Sequence, residues 1–214
     1  LFRSVMNAGK KAEEWGLKGI TNAVEDIIIS RDIMLAEETG AKLHICHCST
    51  QGASDLIWDA KMKGINVSGE ICPHHFTLTE DDIPSKDDAN YKMNPPLRKR
   101  EDLEELIWAL SNNVIDVIST DHAPHTALEK SKGFAGAPFG IVGLETAFAL
   151  SYTNLVRAGH ISFKKLIAKM SVNPARVLGI NRGDISIGKA ADIAIVDTEN
   201  EYEISASSFK GKAK

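Results

Sequence analysis

The sequence predicts an α/β fold in which parallel strands alternate with helices. Segments with the spacing of amphipathic helices alternate with short apolar runs of strand length up to residue 119. Glycines at positions 40 and 64 follow the first two helix-like segments, and glycine is a common residue just past a helix end. Repeated strand, helix and strand units build a parallel sheet with right-handed connections.

The individual elements up to residue 119 follow from these patterns. The sequence begins at Leu1 in a segment that looks helical, and its first methionine is Met6, so we expect a piece of a longer protein. Ser49 and Thr50 are suited to begin a helix, because their hydroxyl groups cap free backbone N–H groups. Strands are predicted over 42–48, 65–71 and 114–119, and helices over 27–38, 49–63 and 101–110.

The three predicted strands are too few for a complete barrel. A closed eight-stranded (β/α)8 barrel takes about 250 residues, and this chain has 214. We therefore expect a partial, TIM-like barrel that contains the last three strands.

The second half of the chain is less regular. Residues 73–96 are predicted to form a long polar loop of the kind that carries function. Residues 123–140 form a second long loop, which contains three glycines and is predicted to be mobile. Helices are predicted over 141–156, over 161–170 and from Asn173, and a pair of strands over 183–189 and 191–197. We expect 1–182 to belong to the barrel and 183–214 to be part of a separate small β domain.

Composition excludes several classes of protein. The chain is 43% apolar and 25% charged, as in ordinary globular proteins. No apolar stretch approaches the roughly 20 residues of a membrane helix, and no signal peptide is recognised, so we expect a cytoplasmic protein without a membrane partner. A net charge of −4 disfavours nucleic acid as a partner. The three cysteines are expected to be reduced thiols.

Two residues at predicted strand ends could bind a metal. Asp121 follows the strand 114–119, and the carboxyl ends of parallel strands are where catalytic residues of these folds gather. In a strand over 42–48, His44 and His47 point to opposite faces, and His47 is nearer the strand end. Imidazole and carboxylate are ligands of zinc in hydrolases, but a catalytic zinc takes about three protein ligands. Cys46 and Cys48 are interpreted as small residues under helices.

The residues around Asp121 resemble a known family signature. Ser119-Thr120-Asp121-His122-Ala123-Pro124-His125, with Lys130, is similar to the second signature of the dihydroorotases of the amidohydrolase superfamily. It departs only at Ser119, where Gly or Ala is usual. Further motifs of the bacterial single-function type occur in order: His47-Cys48-Ser49-Thr50, Pro73-His74-His75, Tyr91-Lys92-Met93-Asn94-Pro95-Pro96-Leu97-Arg98, Ala137-Pro138-Phe139-Gly140-Ile141-Val142-Gly143 and Gly188-Lys189-Ala190-Ala191-Asp192-Ile193.

The resemblance implies a metal-dependent hydrolase barrel with a small β domain made from both chain ends. It implies one or two zinc ions per subunit, with His47 as a ligand of one metal and Asp121 as a ligand of the other and as the proton carrier. The implied reaction interconverts N-carbamoyl-L-aspartate and (S)-dihydroorotate in pyrimidine biosynthesis. The first signature of the family, His-x-His-x-Arg, is missing from this sequence. We therefore expect the chain alone to be an inactive fragment.

The resemblance also implies how a small-molecule substrate is held. Asn94 and His125 match positions that bind the substrate, and both can donate hydrogen bonds to a carboxylate. Phe139 and Gly140 match a backbone contact to the substrate ring. A homodimer is implied as well, and association with aspartate transcarbamoylase is a further possibility.

Two alternative functions remain open. A hydantoinase, dihydropyrimidinase or allantoinase has the same fold, although Asn94 and His125 favour a substrate with a carboxylate. A non-catalytic scaffold is the second alternative, and the retained His47 and Asp121 argue against it. Structural roles are assigned to the remaining motif residues: His74 and His75 to hydrogen bonding, His122 to support of Asp121, Pro95 and Pro96 to stiffening of their loop, Arg98 to the surface, and 80–82 to a solvated loop.

Overall fold

Short parallel strands followed by helices form the frame of the chain in a computed structural model that describes residues 4–211. Two strands, β1 (Ser4–Asn7) and β2 (Lys18–Ile20), pair in parallel. A second sheet has the order β3 (Leu43–Ile45), β4 (Val67–Ile71) and β5 (Val117–Ile118), and it is also parallel. The predicted α/β class with parallel strands is confirmed.

Helices cover one face of this sheet. In β4 the buried residues Val67, Gly69 and Ile71 alternate with the half-buried Ser68 and Glu70, so the two faces of the strand differ. The main hydrophobic core lies on the buried face and includes Ile45, Ile57, Leu106, Leu110 and Ile115. The helices are α1 (Lys10–Glu14), α2 (Asn22–Thr39), α3 (Gln51–Met62), α4 (Arg100–Ser111), α5 (Ala127–Lys130), α6 (Gly133–Gly136), α7 (Ala147–Ser151), α8 (Phe163–Ile167) and α9 (Asn173–Leu178).

The predicted helix boundaries are largely confirmed. Helix α2 begins five residues before the predicted start and ends at Gly40, whose φ of 69° is the left-handed cap expected of glycine. Helix α3 begins after Thr50, whose hydroxyl oxygen accepts a hydrogen bond from the Ala53 N–H at 3.0 Å. Each of the three predicted strands is present but shorter than predicted.

The remaining predictions differ in their outcome. The described start of the chain is the strand β1, not the predicted helix, and its four residues are too few to show a period. The predicted loop 73–96 is confirmed as irregular, with three short 3-10 turns at Pro73–Phe76, Glu80–Asp82 and Ala89–Tyr91, although much of it is buried. The predicted helix 161–170 is found as α8 and a π-helical turn at Ala168–Val172, whereas the predicted helix 141–156 starts late, at α7, and continues as a π-helical turn at Tyr152–Arg157.

The strands predicted over 183–197 are not formed. Between residues 183 and 211 the structure contains no strand, only a 3-10 turn at Ala206–Ser208. Ile187 and Ile195 are almost fully exposed, at 107% and 97%. An isolated pair of strands is marginal in water unless a further strand or helix covers its apolar face.

In the described part of the chain, no helix is both long and apolar enough to cross a membrane.

Candidate active site

The carboxyl ends of β3, β4 and β5 lie at one edge of the sheet because the three strands are parallel. His47 follows β3 by two residues, and Asp121 follows β5 by three. Both residues have a left-handed backbone, with φ values of 40° and 46°. Such values are uncommon in residues other than glycine and concentrate at functional sites. This edge is therefore the candidate active site.

The strand β3 is too short to fix the direction of His47. It ends at Ile45, and the positive φ at His47 departs from the extended conformation. The predicted alternation over 42–48 consequently does not extend to His47. His44 and His47 both lie beside Glu70: the His44 ring is 3.1 Å from the Glu70 carboxylate, and the backbone of His47 contributes to the lowered pKa of that carboxylate.

Glu70 is a residue of this site that the sequence analysis missed. It alternates with buried residues in β4 and faces away from the main core. Burial raises the pKa of Glu70, but hydrogen bonds from His44 and Ser119 outweigh that effect, so the pKa is lowered and the carboxylate stays charged. The sequence contains a signal for this residue, because the polar Ser68 and Glu70 alternate with Val67, Gly69 and Ile71 along the strand.

Neighbouring groups shift the pKa of the Asp121 carboxyl group in opposite directions. Burial raises its pKa, the His47 imidazole lowers it, and the charge of Glu70 raises it, with a net increase. A carboxylate with a raised pKa accepts a proton more readily than a solvated one. Asp121 is thus suited to carry a proton.

The cysteines divide between the two faces of the sheet. Cys48 is fully buried in the main core, as predicted. Cys46 is exposed beside Glu70 and Asp121, so its predicted place under a helix is wrong. Full burial raises the pKa of Cys48, and burial raises the pKa of Cys72 to about 12. Partial burial of the Cys46 sulfur, with the charges of Glu70 and Asp121, raises the pKa of Cys46, so all three thiols are protonated at neutral pH.

The donor types of His47 and Asp121 suit a divalent metal, but their number falls short. Imidazole nitrogen and carboxylate oxygen are typical zinc ligands. Within residues 4–211, the groups of three or more converging donors are His44 with Cys46 and Glu70, and Cys72 with His74 and His75. Neither group contains His47 or Asp121. Two donors are fewer than the about three protein ligands that a catalytic zinc takes.

Asn94 lies near His47. Its side chain is exposed and lines a depression together with Cys46, His47 and Arg98. The following prolines are buried, and the carbonyl oxygen of Pro95 is 3.1 Å from Nε2 of His75. His75 therefore anchors the loop that presents Asn94, in agreement with the structural role predicted for it.

His125, Phe139 and Gly140 are brought together by a second loop. Nε2 of His125 is 2.9 Å from the Phe139 carbonyl oxygen, and Nδ1 is 3.6 Å from the Glu129 carboxylate. Gly140 has a φ of 150°, and a Cβ there would lie 2.8 Å from the His125 ring and nearer still to the Ala123 carbonyl oxygen. Both nitrogens of His125 already face protein atoms, an arrangement that the sequence did not reveal.

Two buried lysines anchor this second loop, which we predicted to be mobile. The Lys130 ammonium donates to the carbonyl oxygens of Ala89, Lys92, Pro138 and Gly140, at distances of 2.5 to 3.2 Å. The Lys92 ammonium donates to the carbonyl oxygens at positions 134 and 137 and lies 4.6 Å from the centre of the Phe139 ring. The lysines join the loop before Asn94 to the loop that carries Gly140.

Several motif residues have other neighbours than predicted. Arg98 is buried, not on the surface, and it donates to Asn7, Ser49 and the Ile20 carbonyl while facing Glu25. His122 accepts hydrogen bonds from the Gly143 and Leu144 N–H groups, so it orders that turn. Glu80 is buried and accepts a hydrogen bond from Asn7 at 2.6 Å, whereas Asp81 and Asp82 are exposed as predicted.

The chain is similar to proteins of one family. A model of the amidohydrolase family matches residues 6–214. Dihydroorotase from Bacillus cytotoxicus is 50% identical over 212 residues, which are 99% of this chain and 49% of that protein. Dihydroorotase from Bacillus caldolyticus is 48% identical over 206 residues, which are 96% and 48% of the two chains. The chain thus spans about half the length of these curated relatives.

Solved structures with a similar fold carry hydantoinase names. L-hydantoinase (dihydropyrimidinase) from Arthrobacter aurescens superposes with a TM-score of 0.77 and 31% identity, covering 85% of this chain and 41% of that one. Dihydropyrimidinase from Brevibacillus agri NCHU1002 superposes with a TM-score of 0.75 and 28% identity, covering 79% and 39%.

Proposed function

Because the chain belongs to the amidohydrolase family, we propose that it supplies part of the active site of a metal-dependent cyclic amide hydrolase. The proposed reaction is that of a dihydroorotase, which interconverts N-carbamoyl-L-aspartate and (S)-dihydroorotate. The observation that carries this proposal is the pair His47 and Asp121, both with a left-handed backbone at one edge of a parallel sheet. The identity of about 50% to dihydroorotases supports the choice of substrate.

In this proposal His47 and Asp121 are metal ligands, and zinc is the metal that their donor types fit best. A bound divalent metal lowers the pKa of water and so supplies a nucleophile at neutral pH. Asp121 takes up a proton during attack on the ring carbonyl and gives it to the departing ring nitrogen.

The proposed substrate contacts come from the two anchored loops. Asn94, which lines the depression beside His47, donates a hydrogen bond to the substrate carboxylate. His125 reaches the same carboxylate when its Nε2–H group turns from the Phe139 carbonyl oxygen to the substrate. The backbone at Phe139 and Gly140 contacts the substrate ring.

At the level of the fold, we propose that the sheet β3, β4 and β5 forms the last three strands of a (β/α)8 barrel. Residues 1–182 then belong to the barrel, and residues 183–214 to a small β domain. The exposed isoleucines at 185, 187, 193 and 195 support this division, because further strands packed on them would bury them. A homodimer, association with aspartate transcarbamoylase and a cytoplasmic location complete the proposal.

A chimeric enzyme tests the proposed function. The aligned half of Bacillus cytotoxicus dihydroorotase is replaced by this chain, and the zinc-loaded chimera is assayed on dihydroorotate and on hydantoin. We expect turnover of dihydroorotate, and loss of at least about 100-fold in kcat for Asp121→Asn. His160→Ala, an exposed site, serves as the control.

Three outcomes would contradict the proposal in different ways. Turnover of hydantoin alone favours the hydantoinase function. A folded, zinc-loaded chimera without activity on either substrate favours a non-catalytic scaffold. Full activity of the isolated chain would refute the expectation that it is inactive and binds metal weakly by itself.

A further inference from the structure

Two tryptophans lie stacked on the outer surface of α3 and α4, outside the candidate active site. The ring centres of Trp58 and Trp108 are 5.0 Å apart, and the ring planes differ by 14°. The side chains are 39% and 41% exposed, and the neighbouring Met62 is 75% exposed. Helix α3 uses Ala53, Ile57 and Ala60 for its contact with the core, so the indole rings are not needed to fill it.

Three carboxylates surround the indole pair. Asp55, Asp59 and Glu105 line the same shallow depression as the two tryptophans. The ion pairs formed within residues 4–211 include none of these three carboxylates. Like charges held close together repel one another, and burial together with the charge of Asp55 raises the pKa of Glu105. A cation bound at this point would relieve that repulsion.

The negative charge of this surface indicates which kind of molecule could bind to it. A symmetric contact between two copies of the chain would bring each acidic patch against its equivalent, which like-charge repulsion disfavours. Nucleic acids and anionic lipid surfaces are disfavoured for the same reason. A cationic segment of a different protein is the occupant that fits.

The chemistry of the patch distinguishes arginine from lysine. A planar guanidinium stacks on an indole face and pairs with a carboxylate at the same time, whereas an ammonium acts as a compact point charge. Trp108 with Glu105, and Trp58 with Asp55, offer that combination on neighbouring helices. We propose that the surface formed by Asp55, Trp58, Asp59, Glu105 and Trp108 binds an arginine-bearing segment of a partner protein.

Tryptophan fluorescence tests the proposal on the chain itself. The sequence contains three tryptophans, so the replacement Trp15→Phe leaves only the stacked pair as reporters. Hexa-arginine and hexa-lysine peptides are titrated into this variant at low and at physiological salt. We expect a saturable change in emission with hexa-arginine, and affinity several-fold weaker for hexa-lysine.

A matched pair of neutralised variants separates this surface from general charge attraction. D55N/D59N/E105Q removes three charges at the surface, and E13Q/E37Q/E38Q removes three from exposed positions elsewhere. We expect about tenfold weaker binding of hexa-arginine to the first variant, and a change below about twofold in the second. Circular dichroism verifies that both variants keep their helices.

Three results would overturn the proposal. Equal weakening in both variants would mean that only net charge attracts the peptide. The absence of a saturable fluorescence change would mean that the indole pair is not the contact. A dimer of the chain by sedimentation that Trp108→Leu dissociates would mean that a second copy covers the surface.

Discussion

Replacing Lys130 by methionine tests whether one buried ammonium anchors the loop that carries Phe139 and Gly140. Methionine has a similar length and no charge, so it fills the space without donating hydrogen bonds. Four carbonyl oxygens surround the Lys130 ammonium at 2.5 to 3.2 Å, but an ammonium has three N–H groups. At about 1.5 kcal/mol for each hydrogen bond to a charged group, the three lost bonds amount to about 4.5 kcal/mol.

Part of that loss is offset by the removal of a buried charge. Burial lowers the pKa of Lys130 to about 8, which means that the surroundings disfavour the charged form. We therefore expect Lys130→Met to lower the free energy of unfolding by about 2–3 kcal/mol. Urea denaturation measures this change, and hydrogen exchange should show faster exchange at amides 133–140. Lys132→Met, at an exposed position in the same loop, is the control. A loss below about 0.5 kcal/mol, or unchanged exchange in the loop, would show that the Lys130 ammonium does not anchor the loop.

Three other substitutions test separate parts of the structure. Burial lowers the pKa of Lys169 to about 8, as for Lys130, but the Lys169 ammonium donates to a single carbonyl oxygen, that of Ile115. The removal of the buried charge therefore outweighs the lost hydrogen bond, and Lys169→Met should raise the free energy of unfolding at pH 7 by about 1–2 kcal/mol. That gain in the free energy of unfolding should shrink between pH 8 and 10.5, because the folded chain releases the lysine proton before the unfolded chain does. A gain that is constant with pH would contradict this explanation. Gly140→Ala should lower the free energy of unfolding, measured by denaturation, by about 2–4 kcal/mol. Gly40→Ala should lower it by only about 1 kcal/mol, because a Cβ at residue 40 would meet no atom within 4 Å. Equal losses would show that the crowding at residue 140 is unimportant. Arg98→Met should cost about 3–5 kcal/mol, because it removes the cationic partner of the largely buried Glu25 carboxylate and the donor to Asn7 and to the Ile20 carbonyl oxygen. A loss as small as that of the exposed Arg100→Met would argue against the buried network.

The sequence predicted the parts of the fold whose side chains repeat with a clear period. Helices α3 and α4 were recognisable because apolar residues recur on one side over three turns. Helix α2 was recognisable by its length and by Gly40 at its end, since its apolar residues lie on several sides and Ile27, Met34 and Leu35 are exposed. The strand pair β1 and β2 was missed, since strands of four and three residues show no period. The strands expected over 183–197 have the right composition but no neighbour to pair with in the described residues.

The candidate site was predictable only where a motif marks it. His47 and Asp121 stand at strand ends, and that position is visible in the sequence. The roles of Lys92, Lys130 and Arg98 were not visible, because each binds backbone or side-chain groups that are distant along the chain. From sequence alone, a single charged residue is expected at the surface, because its buried partners cannot be identified.

We propose that His47 and Asp121 belong to one metal centre at the carboxyl edge of the sheet, where each is a ligand. Metal content by mass spectrometry, measured after dialysis of the chimeric enzyme against a series of zinc-buffered solutions, tests it most directly. We expect His47→Ala and Asp121→Ala each to weaken zinc binding at least about tenfold, while His160→Ala keeps the parent affinity. Zinc binding that is equally tight in all four proteins would contradict the claim.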